Sequence, residues 1–531
     1  MLFDYSYHGS STISNNAQKT SMSFSPDVTR EPTYFVGELS KTIEFREAMS
    51  ALHQVVVSDM RYQPKDRTEY LAWAKAQEDL MWSKIDVVKK DVKEQIEAIT
   101  QELSLLRTKH RDRFREYERN KRLYFDYLYK KDYDAWIVLD PVITVHPDEV
   151  FFECFSKDES SYGRLSVSYN VFKNIKEFEC GTTNIDYSQA LYQEFQKMRT
   201  YKESSFTIDP SGFEVKTTGE DTFKEVKIDL PESWVRGFLQ VNSAMTMPLT
   251  KFDLHSMDLY NICSYLRRNK EIKGPRSIRF RLKPKEPVKV VIDPWNFEIN
   301  CPRSIYHGTR EQEIRIWGRR RLHILERLIP ITKKFSVHLM GSGLPSFYIA
   351  DLGDMAFTLG LSGWSANDWS KAGNFDLMAP RGEIDQMTKV HVFETLKKDW
   401  FLTSSELAKK ADLSETGVLM AMSAYAQAGM AIYDLNKGVY RVRELSRDPL
   451  PLEKLRFSNE REENANRFLE QNNVKLSHKK RDEKGILCLK GTVKDKNNDL
   501  TPLLMIDLDE RIIKGECNCR FYYQNKMYKG P

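Results

Sequence analysis

The chain has 531 residues, 40% hydrophobic and 30% charged, which excludes a disordered or collagen-like polymer and gives length for about three to five domains. Its 81 Lys and Arg nearly balance its 76 Asp and Glu, and the resulting net charge of +5 singles out no class of partner. No apolar run approaches the ~18 residues that a membrane-spanning helix needs, so we expect no membrane contact.

The opening MLFDYSYHGSSTISNN has neither a basic start nor a long apolar stretch, unlike a secretory leader. The seven cysteines are odd in number and mostly isolated, unlike a disulfide scaffold, so the expected compartment is the cytoplasm, with reduced thiols. Residues 1–64 read as an irregular lead-in followed by a short helix, with Phe45, Met49, Leu52, Val56 and Met60 at steps of three and four. From Lys65 to Asp140 there is neither Gly nor Pro, and Ile85, Val88, Val92, Ile96, Ile99, Leu103 and Leu106 make one apolar stripe among charges. Residues 65–135 are therefore expected to form a long helical, coiled-coil-like arm, which serves either a partner or its own chain.

Residues 136–370 change character. Short β-rich runs at 136–139, 142–145, 150–152, 165–167 and 213–215 are bounded by Pro, Gly, Asp and Ser, and Tyr187–Tyr201 reads as helical, which predicts a mixed α+β body. Within it, residues 263–334 carry a net charge of +12, so the remainder of the chain totals −7. Ile278, Phe280 and Leu282 alternate with Arg279, Arg281 and Lys283, and a strand would place the three cations on one face. Residues 311–329 are expected as a basic helix containing Arg319, Arg320 and Arg321, no more than two of which share a face. These six cations are the candidate nucleic-acid contacts, set against the plainer reading of a solvated surface or of pairing with the acidic remainder.

Residues 388–443 are expected to be a winged helix. Thr403-Ser-Ser-Glu406 has the form of a capping box, Leu413-Ser414 opens the third helix, and a hairpin turning at Gly438 is the wing. There is no Lys or Arg between Leu413 and Asn436, so its third helix lacks the cations that grip phosphates, and protein contact is the expected role. Residues 455–531 bring a helix near 457–471, strands at 473–479, 486–493 and 502–508, and then Lys514-Gly-Glu-Cys517-Asn-Cys519-Arg-Phe-Tyr-Tyr.

Here the chain resembles the SWIM zinc finger family, in which a strand hairpin leads into a CxC and, after a variable spacer, a CxH. The resemblance implies that Cys517 and Cys519 ligate a structural Zn2+ and that the module recognises DNA or protein. Neither Cys nor His follows Cys519, whereas structural zinc takes four donors, so the expectation is a finger whose closing CxH begins just past Pro531. The stretches 146–161, 181–188, 233–240, 316–322 and 360–370 look like those of large bacterial SWIM proteins. That likeness implies partners among MoxR-type AAA+ ATPases and von Willebrand factor A proteins.

The expected fold class is thus multidomain α+β: a helical arm, a mixed body, a winged helix and a truncated C-terminal SWIM-like β-hairpin zinc finger. The expected function is a non-enzymatic recognition or adaptor subunit. Two alternatives stand beside it. One is a sequence-tolerant nucleic-acid binder using 263–334. The other is an enzyme of unknown type centred on 146–160, where His146, Asp148, Asp158 and Glu159 would have to converge on a cleft. Gly341-Ser-Gly-Leu-Pro-Ser lacks the Lys-Ser/Thr of a phosphate-binding loop, and His307, His323 and His338 fall at spacings that make no metal motif.

Overall fold

The computed structural model describes residues 12–15, 19–24, 34–58, 141–175, 178–184, 196, 198, 200, 203–208, 232–271, 274–363, 368–369, 384–445, 460–483, 485–495, 498–520 and 522. By its internal contacts the chain divides into two units, residues 60–138 and the remainder, and the described residues belong to the latter.

Its centre is an antiparallel sheet of eight strands. In chain order these are β4 (Val142–Val145), β5 (Glu149–Phe155), β6 (Ser161–Ser168), β8 (Gly181–Asn184), β10 (Thr250–Leu254), β15 (Lys334–Leu339), β16 (Ser346–Asp351) and β17 (Met355–Leu361), arranged β10-β15-β16-β17-β6-β5-β4-β8. The β5 sequence EVFFECF is buried along its whole length, so both faces of the sheet are covered. The cross-strand register shows by what. Cys154 pairs with Gly163, and on that face helix α1 (Thr42–Val57) comes so close that a Cβ on Gly163 would lie 3.0 Å from Val55 Cγ2. Phe155 pairs with Tyr162 on the other face, where helix α2 (Glu232–Met245) packs Trp234 and Phe238 onto the Phe155 ring. Gly237 permits that approach, since a Cβ there would sit 2.9 Å from the ring.

Around this sandwich lie two further sheets. Strands β1 (Thr12–Asn15), β2 (Lys19–Phe24), β3 (Phe35–Leu39), β7 (Phe172–Lys173) and β9 (Glu203–Ile208) form a five-stranded sheet whose β2–β9 pairing is parallel. Strands β11 (Ile278–Leu282), β12 (Pro287–Ile292), β13 (Phe297–Ile305) and β14 (Gln312–Ile316) form an antiparallel sheet in the order β13-β12-β11-β14. Helix α3 (Ser256–Arg268) and a 3-10 helix (Arg319–Leu328) flank it in sequence.

The expected fold class needs correction on three points. Residues 312–316 are strand and 319–328 a 3-10 helix, not one basic α-helix; Ile314 and Ile316 point inward at strand period and pair with β11. The long helical arm over 65–135 lies outside the described residues.

The winged helix expected over 388–443 is corrected as well. Helices α4 (Gln386–Asp399), α5 (Ser404–Ala411) and α6 (Glu415–Gln427) share a small core with strands β18 (Phe401–Leu402), β19 (Ala431–Asp434) and β20 (Val439–Val442). The β19–β20 hairpin, however, is locked into the body. Asn242 of α2 donates to the Ala431 carbonyl at 2.8 Å and accepts from the Tyr433 N–H at 2.8 Å, closing the free edge of β19.

The C-terminal region is a sheet, not a hairpin finger. After helix α7 (Glu460–Glu470), strands β21 (Val474–Arg481), β22 (Leu487–Asp495), β24 (Leu503–Ile506) and β25 (Ile512–Glu516) run β21-β22-β24-β25, with β23 (Asn498–Leu500) also on β22.

Among the described residues, no helix is long and apolar enough to cross a membrane.

Candidate functional site

Three places concentrate chemistry. The first is a buried ionic junction where the β19–β20 hairpin meets the β4–β5 turn. Arg441, on the all-buried strand VYRV, donates to Asp148 at 2.8 and 3.0 Å and to Asp434 at 3.0 Å, and lies 3.3 Å from Glu149. Arg164 of β6 reaches Glu149 at 3.1 Å and Asp434 at 3.3 Å, and Lys437 bonds both Asp148 and Glu149. Arg441 is 0% and Arg164 3% exposed, so each carboxylate is the condition for keeping a guanidinium out of water. Burial pushes the Asp148 carboxyl up, but the hydrogen bonds and charge of Arg441, with those of Lys437, outweigh it and hold it at about 2. Burial likewise raises Asp434, and the charges of Arg164 and Arg441 overcome it, so its carboxyl lies well below the usual range.

His146 completes this junction. Its Nε2 lies 2.6 Å from the Val442 carbonyl, which only a donor N–H satisfies, and its Nδ1 lies 3.4 Å from an Arg441 nitrogen, which can only donate. The ring is therefore the neutral Nε2–H tautomer. Burial, aided by the Arg441 charge, lowers its pKa to about 3. Asp158 and Glu159 lie beyond the other end of β5, roughly 20 Å away at a strand rise of about 3.3 Å per residue. There Asp158 accepts from Ser156 and Ser160, and Glu159 from Ser233. His146, Asp148, Asp158 and Glu159 do not converge on one cleft, and both ring nitrogens of His146 are engaged.

Arg279, Arg281 and Lys283 do share the outer face of β11, but that face supplies its own anions. Arg279 pairs with Asp293 at 3.0 Å and Glu313 at 3.3 Å, Arg281 with Glu313 at 2.6 Å and Glu298 at 2.9 Å, and Lys283 with Glu311 at 3.4 Å. Arg319 is buried against the carbonyls of Ser277 and Asp293 and lies over the Trp295 ring. Arg320 bonds Glu271 at 2.6 Å, and Arg321 is buried 3.9 Å from Asp158. As nucleic-acid contacts, Arg319 and Arg321 are corrected: neither guanidinium reaches the surface.

The second place is the C-terminal sheet. No residue from 460 onward joins a core cluster among the described residues, and from 463 onward Asp509 alone is buried. Asp509 accepts from the Arg276 backbone N–H and, at 2.7 Å, from its guanidinium. Gly274 is needed beside it, because a side chain there would collide with the carboxylate. We expect Asp509→Ala to speed amide exchange at the 507–511 turn by roughly tenfold or more, since hydrogen bonds to charged groups are worth about 1.5–3 kcal/mol, while the eight-stranded sheet keeps its protection. Exchange mapped by mass spectrometry checks this.

Cys517 and Cys519 follow β25 directly. The Tyr522 N–H donates to Cys519 Sγ at 3.3 Å, and burial raises the Cys517 thiol. Among the described residues the pair gathers no third donor into a cluster. The aromatic and basic residues from Tyr523 to Lys529 lie outside the described residues.

The third place is Cys263, His323 and Glu326, which offer one ligand atom each, all within 4.8 Å of one another. His323 stands at no metal-binding spacing to the other histidines. Its partner thiol lies sixty residues earlier, and the legible trace was local: His323-x-x-Glu326, which a three-residue turn stacks on one side.

No family model matches the chain, and no curated protein does either. Among solved structures, a Proliferating Cellular Nuclear Antigen from Entamoeba histolytica is similar at a TM-score of 0.30 and 10% identity, covering 43% of this chain and 89% of that one.

Proposed function

We propose that the chain is a non-enzymatic recognition subunit that captures an extended, acidic segment of a protein partner along the edge strand β21. The observation that carries this reading is β21 itself: all eight of its residues are exposed, and it stands at the end of its sheet with one side unpaired among the described strands. An edge of this kind is a template for an added strand. Lys475, Lys479, Lys480 and Arg481 on it repel a second copy of the same strand and attract carboxylates. Leu476 (61% exposed) and Val474 (43% exposed), both on β21, add apolar contacts of the kind that anchor interfaces.

On this reading Cys517 and Cys519 stiffen the far end of the sheet as two donors to a zinc ion, in the manner of the SWIM resemblance, and AAA+ ATPases and von Willebrand factor A proteins are the partners to try first. Nucleic acid is the less favoured partner, because the cations of β11 are already met by carboxylates.

The test is a photo-crosslinking amino acid at Leu476 in the cells that make the protein, followed by purification of the captured partner and calorimetric titration. Leu476→Glu is expected to weaken that titration at least tenfold without moving the thermal midpoint. A captured partner that binds the Glu variant as tightly, or retention on DNA that falls steeply with salt in place of any saturable protein binding, overturns the proposal.

A further inference from the structure

We propose that Cys263, His323 and Glu326 form a binding site for one transition-metal ion of the zinc class, separate from Cys517 and Cys519. The site is assembled by two elements of different pitch. Helix α3 turns Cys263 inward beside Leu259, Ile262 and Leu266, so the sulfur is fixed in the core. The 3-10 helix repeats every three residues, so His323 and Glu326 lie one above the other, and His323 Nδ1 sits 2.7 Å from Glu326 Oε1.

One sulfur, one imidazole nitrogen and one carboxylate oxygen within 4.8 Å of one another match the mixed donor set that zinc accepts. Donors around tetrahedral zinc stand roughly 3–4 Å apart, so small side-chain movements suffice. The outer partner is also in place. Arg267, one turn beyond Cys263 on α3, bonds Glu326 Oε2 and leaves Oε1 to face the imidazole. A ligating carboxylate oriented by a second group is the usual arrangement at a built metal site. Cys263 Sγ makes a long 3.7 Å contact to the Leu322 carbonyl and also interacts with the Glu326 carboxylate. His323 and Glu326 are about a quarter exposed, which gives the ion an entry route and a water as fourth ligand.

Binding replaces the thiol proton by the metal.

The experiment is a Co2+ titration of the metal-free full chain, followed by zinc competition. The double variant Cys517→Ser/Cys519→Ser, which removes the other thiolate pair, is expected to bind one Co2+ with a thiolate-to-cobalt charge-transfer band. Adding Cys263→Ser should abolish the band. Because Cys263 lies in the core, His323→Ala and Glu326→Gln in the same background carry the test from the rim, each weakening binding beyond the roughly 10–100-fold expected of Arg267→Ala. No band in the double variant, or a band that survives the added Cys263→Ser, would overturn the proposal. The Leu476→Glu titration is independent of every one of these outcomes.

Discussion

Arg441→Ala is expected to destabilise the fold by about 3–5 kcal/mol, the range for removing one partner from a buried charge cluster. The guanidinium is fully buried and is shared by Asp148, Glu149 and Asp434. Arg164 also serves Glu149 and Asp434, so without Arg441 one cation faces two buried carboxylates, with Lys437 a partial remedy at the rim. Two further readings make the cause testable. Asp434→Asn and Glu149→Gln added to Arg441→Met should recover part of the loss, because the stranded charges go with the guanidinium. Asp148 and Asp434 have depressed folded pKa values, so their stabilisation is complete above the ordinary carboxylate range and is lost as pH falls from about 4 through about 2. The gap between wild type and Arg441→Ala should shrink over that window. A denaturant midpoint for Arg441→Ala within about 1 kcal/mol of wild type would mean that the junction contributes little.

The second large effect is on pH dependence, at a higher range. His146 titrates near 6.5 when unfolded and at about 3 when folded, so protonation favours the unfolded chain. Its share of stability is present above pH 6.5 and is lost as pH falls toward 3, by roughly 2 kcal/mol at pH 5. His338 behaves similarly, since burial, with Lys251 beside it, lowers its pKa to about 4. His146→Gln keeps an N–H for the Val442 carbonyl and an oxygen for Arg441, so it should stay folded at pH 7 and lose about half of the slope between pH 6.5 and 5. Denaturant midpoints at three pH values check it; an unchanged slope sinks the assignment.

Which of these features the sequence announced follows from the range over which each is decided. The alternation of Ile278, Phe280 and Leu282 with three cations is a local fact, and β11 forms as read. The capping box of Thr403 and Glu406 is equally local, and both of its hydrogen bonds are present. The anions that neutralise β11 come from β13, from β14 and from Asp293 just past β12, so a run of positive charge in the sequence becomes a balanced surface only after the sheet is paired. Period two was present over 312–316 as well, but the three arginines that follow drew the eye to a helix. Neither Arg164 nor Arg441 stands out in its own segment. What marks Arg441 is its place inside the apolar strand VYRV, and its significance depends on a turn 293 residues away.

That separation matters while the protein is being made. At ribosomal speeds of about 5–20 residues per second, the acidic turn at Asp148 and Glu149 waits roughly 15–60 s for its guanidinium to be synthesised. During that interval β5 and β6 carry carboxylates and Arg164 with no completed shell, so the nascent sheet has reason to remain open or to rest on a chaperone. The junction can therefore close only late in synthesis, and a ribosome stalled before Arg441 would leave Asp148 and Glu149 without their guanidinium.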